Sequence, residues 1–215
     1  KDFPVSILQN SVKMTLEPPK GLRSNLLRSY ATFDDKELNE SITKPEAFKK
    51  LLFAYCFFHA IVQDRRKFGP IGWNIAYEFT NEDLSVSIRQ LKIFLDEYEE
   101  IPFKVLHFLG SEINYGGRVT DDKDERLIKT IMSVYVTPEI LDDNYKFSPS
   151  GTYYAPPSGD IEDYIDYIKT LPLTPHPEVF GLHENAEITT AQMETITILE
   201  TILSIQQRAA SGTGK

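Results

Sequence analysis

Two side chains in this sequence stand at a spacing that could do covalent chemistry. Cys56 and His59 lie three residues apart in "LLFAYCFFHAIV" (51–62). On a helix that spacing sets a thiol near an imidazole, the pairing that activates a cysteine nucleophile in some enzymes. The run around them is apolar, where a buried thiol is inert and a histidine is usually held by one hydrogen bond. Core packing is therefore the expected role, and nucleophilic chemistry would require both side chains in an open cleft. His107, His176 and His183 show no H-x-x-x-H spacing, so no zinc site is expected. "DDKDE" (121–125) lacks the glycine and the closing glutamate of a calcium loop and reads as a helix N-terminus. The tail "AASGTGK" resembles a phosphate-binding loop, but Ala209 stands where the pattern needs glycine. No G-x-G-x-x-G occurs elsewhere, so the chain is expected to hold no nucleotide, metal or other cofactor of its own and to carry no catalytic residue.

Two glycine-containing stretches point to mechanics instead. In "FGPIGWN" (68–74), Gly69, Pro70 and Gly72 specify one path for the backbone, and Trp73 brings a large apolar ring with one N–H donor. A helix should stop there, with Trp73 as a structural anchor at a helix–helix corner. In "YGGRV" (115–119), Gly116 and Gly117 allow close backbone approach, and Arg118 projects from just beyond a helix end. An arginine so placed is either a phosphate sensor or an ion-pair latch between domains, the latch being preferred. Trp73, Tyr115, Gly116, Gly117 and Arg118 are the candidate structural and interface residues.

The elements that position these residues are mostly helical. A β-like stretch, Val12 to Leu16, is stopped by Pro18-Pro19. Next, Leu22, Leu26, Leu27 and Tyr30 share a helical face. "TKPE" (43–46) predicts a capping box from Thr43 to Glu46, opening an apolar helix over 46–67. "TNED" (80–83) repeats the pattern before Leu84, Ile88, Leu91, Leu95 and Tyr98. A shorter helix over "PFKVLHFLGSEINY" closes at Gly116 and Gly117, and Thr120 starts another with Leu127, Ile128, Ile131, Met132 and Tyr135 inward. After Thr137-Pro138 the prolines, glycines and paired tyrosines near 146–157 predict a small extended or hairpin segment. Asp160 and Asp163 open a helix with Ile161, Tyr164, Ile165, Ile168 and Leu171 inward. A last helix over 189–207 sets Met193, Ile196, Leu199 or Glu200, and Leu203 at helical spacing.

Composition narrows the class. The chain has 215 residues, 41% hydrophobic and 26% charged, which is ordinary for a globular protein and long enough for a real core. A single cysteine excludes an intrachain disulfide and fits a reducing compartment. The twelve-residue apolar run at 51–62 is short of the roughly 20 residues that span a bilayer, so no membrane partner is expected. Net charge is +3 over residues 1–30, −3 over 31–118 and −9 over 119–215, which opposes binding to a phosphate backbone. Nucleic acid is not an expected partner. The absent initiator Met and the trailing "SGTGK" suggest a piece of something longer.

Taken in order, "VSILQNSVKMTLEPPKGLRSNLLRSY", "RRKFGPIGWNIAYEFTNEDL", "INYGGRVTDDKDERLI" and "YIDYIKTLPLTPHPEVFGLHENAEIT" closely resemble a dynein heavy chain. "TYYAPP" and "HPEVFGLHENA" look like its axonemal branch. The resemblance implies a mainly α fold, a helical AAA+ lid-type bundle with a short N-terminal strand segment. It implies residues 1–30 at the end of the sixth module's large domain, 31–150 as its lid, and 151–215 as the start of the C-terminal region. It further implies a parent that is an ATP-driven, minus-end-directed microtubule motor of the cilium or flagellum axoneme, using ATP and Mg at other modules. The implied partners are neighbouring AAA+ modules, with microtubules and dynein light and intermediate chains reached through the parent. Within it this segment would carry conformational change and no catalysis. A free-standing helical interaction module with an acidic docking surface is the alternative.

Overall fold

The computed structural model describes residue 12, residues 21–35, residue 38 and residues 43–211. Its helices are α1 (Leu22–Tyr30), α2 (Pro45–Asp64), α3 (Asn81–Glu97), α4 (Phe103–Phe108), α5 (Asp122–Tyr135), α6 (Ile161–Thr170) and α7 (Ala186–Ser211). Tight 3₁₀ turns occupy Arg65–Ile71, Gly116–Arg118, Pro138–Leu141 and Pro177–Phe180, and a π turn occupies Leu109–Asn114. Among the described residues the one β pairing is an antiparallel bridge between Lys146 and Tyr154. It belongs to the expected hairpin near 146–157, where Phe147 N donates to Tyr153 O (2.8 Å) and Ala155 N to Tyr145 O (2.7 Å). Apart from Val12, which lies in no strand and is 89% exposed, the N-terminal strand expected at Val12–Leu16 lies outside the described residues.

α2 is the axis. It is apolar on nearly every side, and from Phe48 to Val62 every residue is buried, as expected of a helix surrounded by others. α1, α3, α5 and the 138–141 turn pack around it. Phe53 and Phe57, one turn apart on α2, gather rings from four other segments. Phe53 meets Tyr30 of α1 at 5.9 Å and Tyr164 of α6 at 5.5 Å, while Phe57 meets Tyr135 of α5 at 5.7 Å and Phe147 of the hairpin at 4.8 Å. Such ring pairs add about 0.5–1.5 kcal/mol each beyond their buried area. Packing is thus continuous across residues 30 and 150, and one hydrophobic cluster runs from Leu22 to Ala186.

Several boundaries differ from the sequence expectation, each for a local reason. Thr43 does not cap α2. Its amide and hydroxyl both donate to Asp96 Oδ1 of α3 (3.1 and 3.0 Å), and α2 instead starts at Pro45, whose missing N–H is harmless at a helix start. α5 starts one residue later than predicted, because the Asp121 carboxylate takes the Lys123 and Asp124 amides (2.9 and 3.1 Å). The capping pairs Thr80 with Asp83 and Asp160 with Asp163 are present as expected, their main-chain amides donating to the acid at 2.8 and 3.0 Å. Tyr98 turns outward at 47% exposure and stacks on Phe94. The largest difference is α7, whose supposed inward residues Met193, Ile196, Leu199 and Leu203 are 42–57% exposed.

If the core is one body, residues on either side of position 150 should report the same unfolding event. Phe53→Ala is expected to cost about 3–5 kcal/mol and Ile168→Ala about 2–5 kcal/mol, each shifting a single urea transition without changing its slope. A separate early transition on truncating Ile168 would count against a continuous core.

Candidate functional site

The corner after α2 is built around a buried cation. Arg65 is 2% exposed. Its Nε and Nη2 donate to the Gly72 carbonyl (3.2 and 3.1 Å), and its Nη1 donates to the Phe180 carbonyl. Burial pulls its pKa down to about 10, partly opposed by the Asp124 carboxylate, so the guanidinium stays charged at neutral pH. It also lies 5.6 Å from the centroid of the Trp73 ring, within cation–π range. Arg65 therefore ties the end of α2 to the corner and to the turn before α7.

The corner needs its two glycines for different reasons. Gly69 has φ 55° and ψ −134°, a conformation that side chains oppose. At Gly72 an added Cβ would fall 1.9 Å from the Arg65 carbonyl oxygen, so only glycine allows the close approach. The path so fixed seats Trp73 at 3% exposure, its indole N–H donating to Val62 O of α2 at 3.1 Å. Its ring abuts Tyr77 and Phe79 at 5.8 and 5.5 Å.

A buried anion holds the other side. Asp124, near the start of α5 and 2% exposed, accepts from the Asn74 and Ile75 amides (3.1 and 3.2 Å). The Asn74 side chain in turn donates to Asp121 (3.0 Å), and the Asp121 amide donates to the Tyr77 hydroxyl (3.2 Å). At the back of α2, Asp64 accepts from Gly21 N at 3.0 Å, which fixes the start of α1. Three charged side chains thus hold the corner to α1, to α5 and to the turn before α7.

The second glycine stretch lies next to it. Tyr115 is fully buried, edge-on to Phe58 at 4.9 Å, and its hydroxyl meets His59 Nδ1 at 3.0 Å. Phe79 bridges the two stretches, being 5.5 Å from Trp73 and 5.8 Å from Tyr115. At Gly116 an added Cβ would meet the Ser111 carbonyl at 2.1 Å, whereas at Gly117 it would meet nothing within 4 Å. Arg118 Nε pairs with Asp83 Oδ2 at 2.7 Å and its Nη2 reaches Thr80 at 3.3 Å, which fastens the 116–118 turn to the start of α3. Its side chain remains 42% exposed.

The covalent-chemistry candidates are closed off. Cys56 is fully buried and its thiol pKa is pushed far up by desolvation; His59 is 1% exposed and pulled down to about 4 by burial. His59 spends Nδ1 on Tyr115, not on the thiol. Among the described residues no three His, Cys, Asp or Glu side chains are placed to hold a metal ion. Arg65 and Asp124 were not singled out from sequence. Arg65 reads there as one of three consecutive cations, and Asp124 as one acid of a helix start; only tertiary contacts distinguish them from their exposed neighbours.

Two measurements probe this corner. In urea unfolding, Trp73→Ala should cost about 3–5 kcal/mol and Arg65→Met about 2–4 kcal/mol, the latter by stranding two carbonyls. A loss below about 1 kcal/mol for either would contradict the buried-joint geometry. His59 gives a pH signature. Its folded pKa lies below the usual 6.5, so the unfolded chain takes up more protons and stability falls as pH drops from about 6.5 toward 4. Between pH 7 and pH 5 the loss should be about 2 kcal/mol, and His59→Gln should flatten that slope. An unchanged slope would mean that the imidazole is not held neutral.

Comparison with known proteins matches the same region. Residues 48–186 fit the family described as the dynein heavy chain AAA lid domain. The chain is 54% identical over 215 residues to mouse dynein axonemal heavy chain 3, covering 99% of this chain and 5% of that protein. It is 54% identical over 218 residues to human dynein axonemal heavy chain 12, covering 98% of this chain and 7% of that one. Against human dynein axonemal heavy chain 1 it is 53% identical over 210 residues, covering 97% and 5% respectively. The chain therefore spans a small fraction of the length of these relatives. Because the lid family covers both glycine corners and the aromatic core between them, and the identity extends over nearly the whole chain, this protein belongs to the dynein heavy chain family, in its axonemal branch, and contains the AAA lid domain.

Proposed function

We propose that this chain is a non-catalytic ring segment of an ATP-driven, minus-end-directed microtubule motor of the cilium or flagellum axoneme. In this reading residues 1–30 end the large domain of the sixth AAA+ module, 31–150 form its lid and 151–215 begin the C-terminal region. These divisions describe positions in the parent and not breaks in packing. ATP and Mg act at other modules. The partners are the neighbouring modules of the same polypeptide, with microtubules and the light and intermediate chains reached through the parent.

One observation carries the proposal: the core is continuous from α1 to the 177–180 turn across the whole lid-family match. A close-packed block resists internal deformation, so a rotation applied at one face appears at the other. Trp73, Tyr115 and Gly116 serve this block as structural positions, and Gly117 and Arg118 as surface positions at an interface. The relatives hold the matching stretch inside far longer heavy chains, which is the opposite of a free-standing module.

The test separates mechanics from chemistry in the intact motor. Arg118→Ala removes a half-exposed ion pair worth about 1 kcal/mol or less, so folding should survive. Microtubule gliding at saturating ATP is expected to slow by about 2- to 30-fold, the range of a lost coupling energy, while basal ATP turnover stays nearly unchanged. An equal fall in both rates, or no change in gliding, would contradict the role of this segment in transmission.

A further inference from the structure

α7 is exposed where an ordinary surface helix would be covered. From Ala191 to Ile205 every residue is exposed, including Ile196, Ile198, Leu199, Ile202, Leu203 and Ile205 at 47–62%. The helix rests on the corner through its first turns, with Thr190, Met193, Glu194, Thr197 and Ile198 facing Lys67, Phe68 and Gly69 across a groove of about 340 Å³. Of its two apolar rows only Ile198 borders that groove; the other members lie outside its lining. Ala191, Thr195, Ile198, Ile202 and Ile205 follow one another at alternating spacings of four and three, and Gln192, Ile196, Leu199 and Leu203 form a parallel row beside them. That spacing is the seam of one helix packed along another.

The helix is also a poor one by composition. Ten of the eighteen residues from Ile188 to Ile205 are isoleucine or threonine, whose branched side chains lower helix propensity, and most helical stability in proteins comes from packing an apolar face. Its helical form therefore depends on a cover. Charge selects among covers. Between Glu184 and Ile205 there are four glutamates, Glu184, Glu187, Glu194 and Glu200, and no lysine or arginine. A second copy would set acids against acids, and an anionic lipid surface would repel the same side chains. An amphipathic helix whose apolar seam is flanked by basic residues fits both the spacing and the sign.

We infer that the exposed face of α7 is the docking seam for a basic-flanked amphipathic helix from elsewhere in the same heavy chain. The chain is only 5–7% of the length of its relatives, so the parent has ample polypeptide to supply one. The inference rests on reading this chain as one part of a longer heavy chain.

Hydrogen exchange on two samples tests it. In the 215-residue chain alone, amides 191–205 should exchange near the rate of an unstructured peptide, and sedimentation should give a monomer at about 10 μM. In the intact heavy chain the same amides should slow by about 100-fold or more, as packed helices do. Ile198→Glu combined with Ile202→Glu should abolish that slowing while the amides of α2 keep their wild-type rates. Fast exchange in the intact chain, or slowing that survives both substitutions, overturns the inference. Self-association of the 215-residue chain, lost with the same substitutions, overturns it by making a second copy the cover, and leaves the lid assignment standing.

Discussion

A guanidinium withdrawn from water must find acceptors, and where Arg65 finds them decides how the rest of this molecule is joined. Its hydrogen bonds go to main-chain carbonyls at Gly72 and Phe180, one in the corner that follows α2 and one in the turn that precedes α7. Carbonyls from distant parts of the chain are thereby fixed to one planar group. The geometry is demanding: three donors of a rigid fork meet two oxygens, so neither segment can shift without stranding a buried charge. Asp124 acts in the opposite sense on the adjacent segment of the corner, accepting two backbone amides that would otherwise lie unpaired.

This arrangement explains why the corner has its sequence. Gly69 supplies the positive φ, Gly72 lets the Arg65 carbonyl come close, and Trp73 closes the space beneath with a donor aimed at α2. The aromatic cluster around Phe53 and Phe57 then extends the same body through α1, α5, the hairpin and α6. Cys56 and His59 are both sealed within this body. What it offers is close packing that resists internal deformation.

Much of this was legible in the residues alone. The apolar α2, the faces of α3, α5 and α6, and the corner at Gly69 to Trp73 follow from periodicity and from the backbone preferences of glycine and proline. The ordered motifs alone point to the dynein heavy chain family. Partner choice was not legible. Thr43 precedes Glu46 at capping distance, yet it turns to Asp96, because a side chain from another helix competes with its own backbone. Arg65 stands beside Arg66 in sequence, but only Arg65 is buried, since burial is set by the return of residues 177–180. For α7, helical spacing correctly identified a helix but could not say which face the body covers, and the residues expected inward are 42–57% exposed.

The central claim is that the buried corner and the aromatic core make one mechanical unit of the lid region. Native-state hydrogen exchange at increasing denaturant measures this directly, because segments that open together converge on one opening free energy. The account predicts that the core amides of α1, α2, α5 and α6 converge on the same value. Earlier opening of α6, at a free energy well below that of α2, would contradict it.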